Sequence, residues 1–174
     1  GIKRPEDLVG KTIGVPEYQM TANVWIRGIL QDDYGVRPED VNWVRGGLEE
    51  PGRGERAPLT LPPSIKLRQI PDDKTLSQML AAGEIDALQG ARAPSTLTSA
   101  PDRVKRLFQD YVEVERAYFR KTRIFPIMHT VVIRREVYER NLAEEAMLFL
   151  PALAERLARQ DFGGFRCDPI GPAD

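Results

Sequence analysis

Short β-prone runs alternate with segments of helical period, and one long stretch rich in Gly and Pro interrupts the pattern. Thr12-Ile13-Gly14-Val15-Pro16 reads as a buried strand ended by proline. From Met20 the spacing turns helical: Met20, Val24, Trp25, Gly28, Ile29 and Tyr34 fall at three- and four-residue steps, and Gly35 stands where a helix stop belongs. Pro38-Glu39-Asp40 marks a turn, and 41–45 reads as a second strand. Ile65–Ile70 reads as a third strand. Thr75 then caps a helix over Leu76–Ala82 that stops at Gly83, and Ile85–Leu88 reads as a fourth strand. This order predicts an α/β fold, a small, mostly parallel sheet flanked by helices.

The interrupting stretch, residues 46–64, holds four Gly and four Pro, which excludes a helix and leaves an extended arm or a hairpin. It is too long for an idle connection. Leu59, Leu61 and Ile65 give it apolar surface to bury, and the arm is also a candidate contact for a homo-oligomer. Residues 1–10 read as a polar lead-in. Pro101–Phe108 reads as a short helical segment, and 110–119 suits a strand or a helix equally. Residues 124–133 are strongly β-prone, with Pro126 at an edge or crossing point. A helix is expected over 134–160 and an irregular tail over 161–174.

Composition narrows the function classes. The 174 residues carry 25 Lys+Arg against 26 Asp+Glu, so no general basic surface exists for nucleic acid. No apolar run reaches the ~18–20 residues of a membrane span. One Cys (Cys167) excludes an internal disulfide, and one Cys with one His excludes a His/Cys zinc cluster. GxGxxG, Walker A, GxSxG and HExxH motifs are all missing from the sequence.

Parallel α/β sheets bind ligands beyond the carboxyl ends of their strands. That rule singles out two loops, Pro16–Thr21 and Gln89–Pro94. Thr21, with Tyr18 and Gln19 before it, sits at a helix start whose free amides suit a carboxylate or phosphate, and a plain capping role for Thr21 is the competing reading. Arg45 and Arg92 follow strand ends and suit bidentate anchoring of a carboxylate. Gln89 and Gly90 open the second loop. Arg27 reads as a surface residue pairing with Asp32 or Glu17. His129, the only histidine, lies in an apolar β-prone run and is either a hydrogen-bonded core residue or a proton donor. The pairs Glu49-Glu50 and Asp72-Asp73 read as solvated turn residues.

Several segments carry a family resemblance: LVGKTIGVPEYQMTANVWIRGILQDDYGV (8–36), VNWVRGGLEEPGR (41–53), the Leu61-Pro62-Pro63 arm, TLSQMLAAGEIDAL (75–88) and IFPIMHTVVIRREVYERN (124–141). Together they resemble the 4,5-dihydroxyphthalate decarboxylase family over roughly residues 1–141. GVPEYQMTANVWIRG and FPIMHTVVIRR are the specific parts. GEIDAL resembles the wider superfamily of type II periplasmic binding proteins. The resemblance implies a two-lobed Venus-flytrap fold with the ligand in the cleft. Residues 1–133 would form mainly the second lobe, with 124–133 as the crossing strand, and the other lobe would be largely missing from this chain.

The implied activity is loss of CO2 from 4,5-dihydroxyphthalate to give 3,4-dihydroxybenzoate. Each carboxylate of that substrate is para to a hydroxyl, so the ring can be protonated at the carboxylate-bearing carbon without an organic cofactor, and a divalent metal stays open. The chemistry needs cations for the dianion, a base near the phenol and an acid at the ring carbon. On this reading Tyr18 and His129 are catalytic, and Gln19, Thr21, Arg45, Gln89, Gly90 and Arg92 bind substrate. A cytoplasmic enzyme is expected. The alternative is a periplasmic solute-binding protein of a transporter for a small organic anion, which would use the same cleft.

Overall fold

The computed structural model describes residues 1–125 and 134–136. The chain divides into two compact units, Gly1–Asp110 and a second that begins at Tyr111. The first unit holds four parallel strands: β1 (Thr12–Val15), β2 (Asn42–Arg45), β3 (Lys66–Gln69) and β4 (Ala87–Leu88), in the order β3-β2-β1-β4. Thr12 pairs with Asn42 and Val15 with Arg45 across β1 and β2. Arg45 in turn pairs with Gln69, and Gly14 with Leu88. The sheet is wholly parallel, so each link between neighbouring strands must cross over a face.

The crossovers use both faces. Helix α1 (Thr21–Tyr34) links β1 to β2, and α2 (Leu76–Ala82) links β3 to β4. Because β1 is followed by a step to one side and β4 lies on its other side, the topological switch falls between β1 and β4. Alternation along the strands feeds two cores. Ile13, Val15 and Trp43 point to the α1 side, joining Leu8, Tyr18, Leu30, Val36 and Val41. Val44 points to the α2 side, joining Ile70, Leu76, Met79 and Ile85. Gly14 shares that second face, where a Cβ would stand 2.8 Å from Leu76 Cδ2.

Local signals end the helices as the sequence predicts. Gly35 takes φ 67° and its N–H closes onto the Leu30 and Gln31 carbonyls. Thr75 Oγ1 accepts the Gln78 N–H at 3.2 Å, and Gly83 takes φ 76° at the other end of α2. The inner face of α1 departs from the apolar pattern. Val24 is 49% exposed, whereas Asn23 and Leu30 are buried and Ile26 and Tyr34 pack on the core. Polar side chains occupy part of the inward face because they serve the loop that precedes the helix.

The 46–64 stretch is neither helix nor hairpin. A hairpin would make β2 and β3 antiparallel, and they are parallel. The stretch runs as an extended crossover, with Leu59, Leu61 and Ile65 packed on the α1-side core. Two close approaches fix its start. Cβ atoms on Gly46 and Gly47 would stand 2.3 Å from the Ile70 side chain and 1.5 Å from the Glu50 carbonyl oxygen. The Gly47 and Leu48 carbonyls then accept the Leu76 and Ser77 N–H groups at 2.9 and 3.1 Å, which ties the crossover to α2.

Two expectations are corrected and one open reading is resolved. The lead-in is not simply polar: Pro5–Leu8 forms a 3-10 turn that buries Pro5 and Leu8, and Asp7 accepts the Lys3 N–H at 2.8 Å. Pro101–Phe108 is not helical; the short helix α3 stands earlier, at Thr96–Ser99. It ends at Ala100, because Pro101 pushes the residue before it out of the helical region. Of the ambiguous 110–119 segment, residues 111–119 are helical, within α4 (Tyr111–Thr122) in the second unit, where Glu113 pairs with Arg116 and Arg120. Residues 126–133 of the expected crossing strand and the segments over 137–174 lie outside the described residues. Among the described residues no helix is long and apolar enough to cross a membrane.

Candidate functional site

The carboxyl ends of β1 and β2 carry a charged cluster. After Val15 the chain passes through Pro16 and Glu17 to Tyr18, and the Glu17 side chain is only 7% exposed. A carboxylate so enclosed needs cationic partners. Arg53 Nε donates to Glu17 Oε1 at 3.0 Å, a second Arg53 nitrogen does the same, and Arg56 Nε stands 3.3 Å from that oxygen. Both arginines come from the crossover. A parallel crossover leaves from the carboxyl end of β2, so Gly52-Arg53-Gly54-Glu55-Arg56 is delivered to the edge where ligands bind.

Glu55 is the second carboxylate. Its side chain is 4% exposed, and Arg45 Nη1, at the end of β2, stands 3.9 Å from its Oε1. The Tyr18 N–H donates to the same oxygen. Oε2 of Glu55 is buried and has no hydrogen-bond partner among the described residues. Arg45, Glu55, Arg56 and Leu59 line an open groove of about 450 Å³, with Gly54, Ala57 and Pro58 completing its wall. Gln19 Nε2 bonds the Ala57 carbonyl at 3.0 Å and fastens that wall to the loop after β1.

Behind the groove lies a buried support. Arg27 is partly buried rather than a surface residue, and no ion pair with Asp32 or Glu17 forms. Its Nη1 donates to the Tyr18 carbonyl at 2.7 Å, and its guanidinium lies 3.8 Å from the centre of the Tyr18 ring. Burial lowers the Arg27 pKa, countered by the nearby Tyr18 and Glu55. The Tyr18 ring meets Trp43 edge-on at 5.6 Å and is 5% exposed. Burial raises the Tyr18 pKa above the usual tyrosine value, and Arg27 partly opposes the rise. Asn23 Nδ2 donates to the Glu17 carbonyl at 2.7 Å, and Gln89 Nε2 to the Asn23 carbonyl at 2.9 Å. The loops after β1 and β4 are thereby joined across the switch point.

These positions bring Tyr18, Gln19 and Arg45 to the cluster. Gln89 is buried and spans the two loops, and Gly90 lies against Pro16, with ring carbons 3.4 and 3.5 Å from where a Cβ would be. Thr21 is exposed at the first turn of α1, where Met20 holds the cap position and no side chain caps the helix. Arg92 is exposed and forms no ion pair among the described residues. His129 lies outside the described residues. Glu49 is engaged rather than only solvated, since it accepts from the Ser95 N–H at 2.7 Å and the Ser95 hydroxyl at 2.8 Å. No three His, Cys, Asp or Glu residues among those described converge as a metal-ligand set.

Arg53, Glu55 and Arg56 are the cluster members that sequence reasoning passes over. The signal that finds them is a charged run between glycines in an arm that must start at the binding edge. The arrangement offers fixed cations beside an apolar wall and a buried carboxylate oxygen that no donor among the described residues meets.

No family model matches the chain. Over 141 residues, 81% of this chain, it is 46% identical to a 4,5-dihydroxyphthalate decarboxylase of Comamonas testosteroni. Over 110 residues, 63% of this chain, it is 52% identical to a 4,5-dihydroxyphthalate decarboxylase of Pseudomonas putida. The chain spans 43% of the length of each of these curated relatives.

Proposed function

We propose that this chain is part of a 4,5-dihydroxyphthalate decarboxylase and that the full protein converts 4,5-dihydroxyphthalate to 3,4-dihydroxybenzoate and CO2. The observation that carries the reading is the gathering of Arg45, Arg53 and Arg56 at the carboxyl edge of a parallel sheet, beside a groove. Three guanidinium groups face two carboxylates there, which leaves positive charge for an anion. A dicarboxylate brings two negative charges, and its flat ring suits a groove walled by Pro58 and Leu59.

In this reading Arg45 and Arg56 hold substrate carboxylate, while Gln19 sets the groove wall. The amides at the start of α1, beside Thr21, add favourable dipole. Gln89 and Gly90 hold the two loops together, and Arg92 reaches the ligand from the second loop. Tyr18 contributes through its N–H, which orients Glu55. His129 is the acid that protonates the ring carbon. The reaction proceeds without an organic cofactor, and the enzyme works in the cytoplasm.

The test is release of 3,4-dihydroxybenzoate and CO2 from 4,5-dihydroxyphthalate by the full-length protein, with and without chelator. Product formation supports the reading. Tight binding with no product at any metal supplement overturns it in favour of a solute-binding role. Replacing His129 by Gln should abolish CO2 release while leaving substrate binding largely intact, and unchanged turnover removes His129 from the mechanism.

A further inference from the structure

We propose that Glu55 is a catalytic residue of this site, the base that accepts the phenolic proton of the substrate on its Oε2. The proposal rests on the decarboxylase reading above and adds to it a residue and a step.

The two carboxylates of the cluster differ in one respect. Glu17 Oε1 accepts from Arg53 Nε and stands 3.3 Å from the exposed Arg56 Nε, so cations meet that carboxylate. Glu55 has one oxygen held, by the Tyr18 N–H and the nearby Arg45, while the other is buried with no donor among the described residues. A buried carboxylate oxygen ordinarily accepts at least one hydrogen bond, and leaving it unmet is costly. Glu55 lines the groove together with Arg45 and Arg56. A ligand that donates one hydrogen bond to that oxygen and presents negative charge to the arginines would complete this site. A hydroxylated aromatic carboxylate does both in one rigid molecule.

The chemistry then balances. The phenol O–H proton passes to Glu55 Oε2 as the O–H bond breaks. The phenolate electron pair moves through the ring to the para carbon that bears the carboxylate. That carbon takes a proton from an acid. Its bond to the carboxylate breaks, CO2 leaves, and the electron pair restores the aromatic ring. Glu55 returns its proton to the phenolate oxygen of the product. The sum is loss of CO2 and uptake of one proton, with no oxidant or reductant.

The full-length protein carrying Glu55→Gln tests this, with wild type alongside. Glutamine keeps the size and an acceptor for the Tyr18 N–H but cannot take the proton. The expected result is a fall in kcat of ~100-fold or more, as removal of a general base gives. Substrate affinity by calorimetric titration should stay within about threefold, and the acidic limb of the kcat–pH profile should vanish from the residual activity. A merely structural Glu55 would raise KM, lower the melting temperature and keep that limb, and this result overturns the proposal. Should Glu55→Gln not fold, Glu55→Asp decides: kcat lowered ~10-fold or more with the acidic limb retained supports the base, and unchanged kcat overturns it. Wild-type protein that binds the substrate without turnover refutes the decarboxylase reading itself, which separates the two failures.

Discussion

Gly14 faces the α2 side of the sheet against Leu76 and Ile85, and replacing it by Ala tests the packing of helices on both faces. The added Cβ would stand 2.8 Å from Leu76 Cδ2 and 2.9 Å from Ile85 Cδ1. Carbon pairs prefer ~3.5–4.0 Å, so each side chain must retreat by roughly 0.6–1.2 Å. Both colliding atoms are side-chain ends of buried residues, Leu76 at 0% and Ile85 at 3% exposed, so relief requires repacking within the core. Overpacking of this kind costs about 1–3 kcal/mol, and the smaller unfolded-state entropy of Ala returns about 0.4–1 kcal/mol. A net loss of roughly 1–2 kcal/mol is expected from urea denaturation at unchanged m-value. Gly28→Ala is the matched control. It lies within α1 with nothing within 4 Å of the added atom, so it should gain about 0.5–1 kcal/mol. Adding Ile85→Val to Gly14→Ala removes one colliding methyl, and the pair should be non-additive by at least ~0.5 kcal/mol. The Gly14 carbonyl also accepts the Gln89 N–H at 2.9 Å, so strain there displaces the loop after β4. A Gly14→Ala protein as stable as wild type would refute the packing of Leu76 and Ile85 on β1.

Thr75→Ala should destabilise by about 1 kcal/mol through loss of the α2 cap, read as a lower urea midpoint, with Thr75→Ser retaining most of it. The Tyr18 phenol has a folded-state pKa raised by burial, so the native state holds its proton where the unfolded chain has lost it. That contribution is complete below about pH 10 and is lost as pH rises through the folded value. Denaturation midpoints taken from about pH 8 upward should therefore fall less steeply in Tyr18→Phe than in wild type.

Much of the first unit was legible because its signals are local. Gly35 and Gly83 end their helices with positive φ, and Thr75 begins one, as residue type alone suggests. The α/β alternation led to the parallel sheet and so to the loops after Val15 and Leu88. What escaped was set by tertiary partners. The inward face of α1 carries Asn23 and Arg27, which no apolar period marks, because they bond the Glu17 and Tyr18 carbonyls. The arm's direction depended on whether β3 lies parallel or antiparallel to β2, a choice that Gly and Pro content does not make. Once parallel, the arm carries Arg53, Glu55 and Arg56 to the binding edge. Burial of the Tyr18 ring on Trp43 likewise follows from packing rather than from its place in a loop.

In the proposed reading, the arginines at the carboxyl edge hold a dicarboxylate substrate. Steady-state release of 3,4-dihydroxybenzoate by full-length wild type and Arg45→Gln tests it most directly. Wild type should turn over, and Arg45→Gln should lose ~10-fold or more in kcat/KM, carried mainly by KM, as loss of a charge-assisted bond to substrate requires. Equal kcat/KM in the two proteins would contradict that reading.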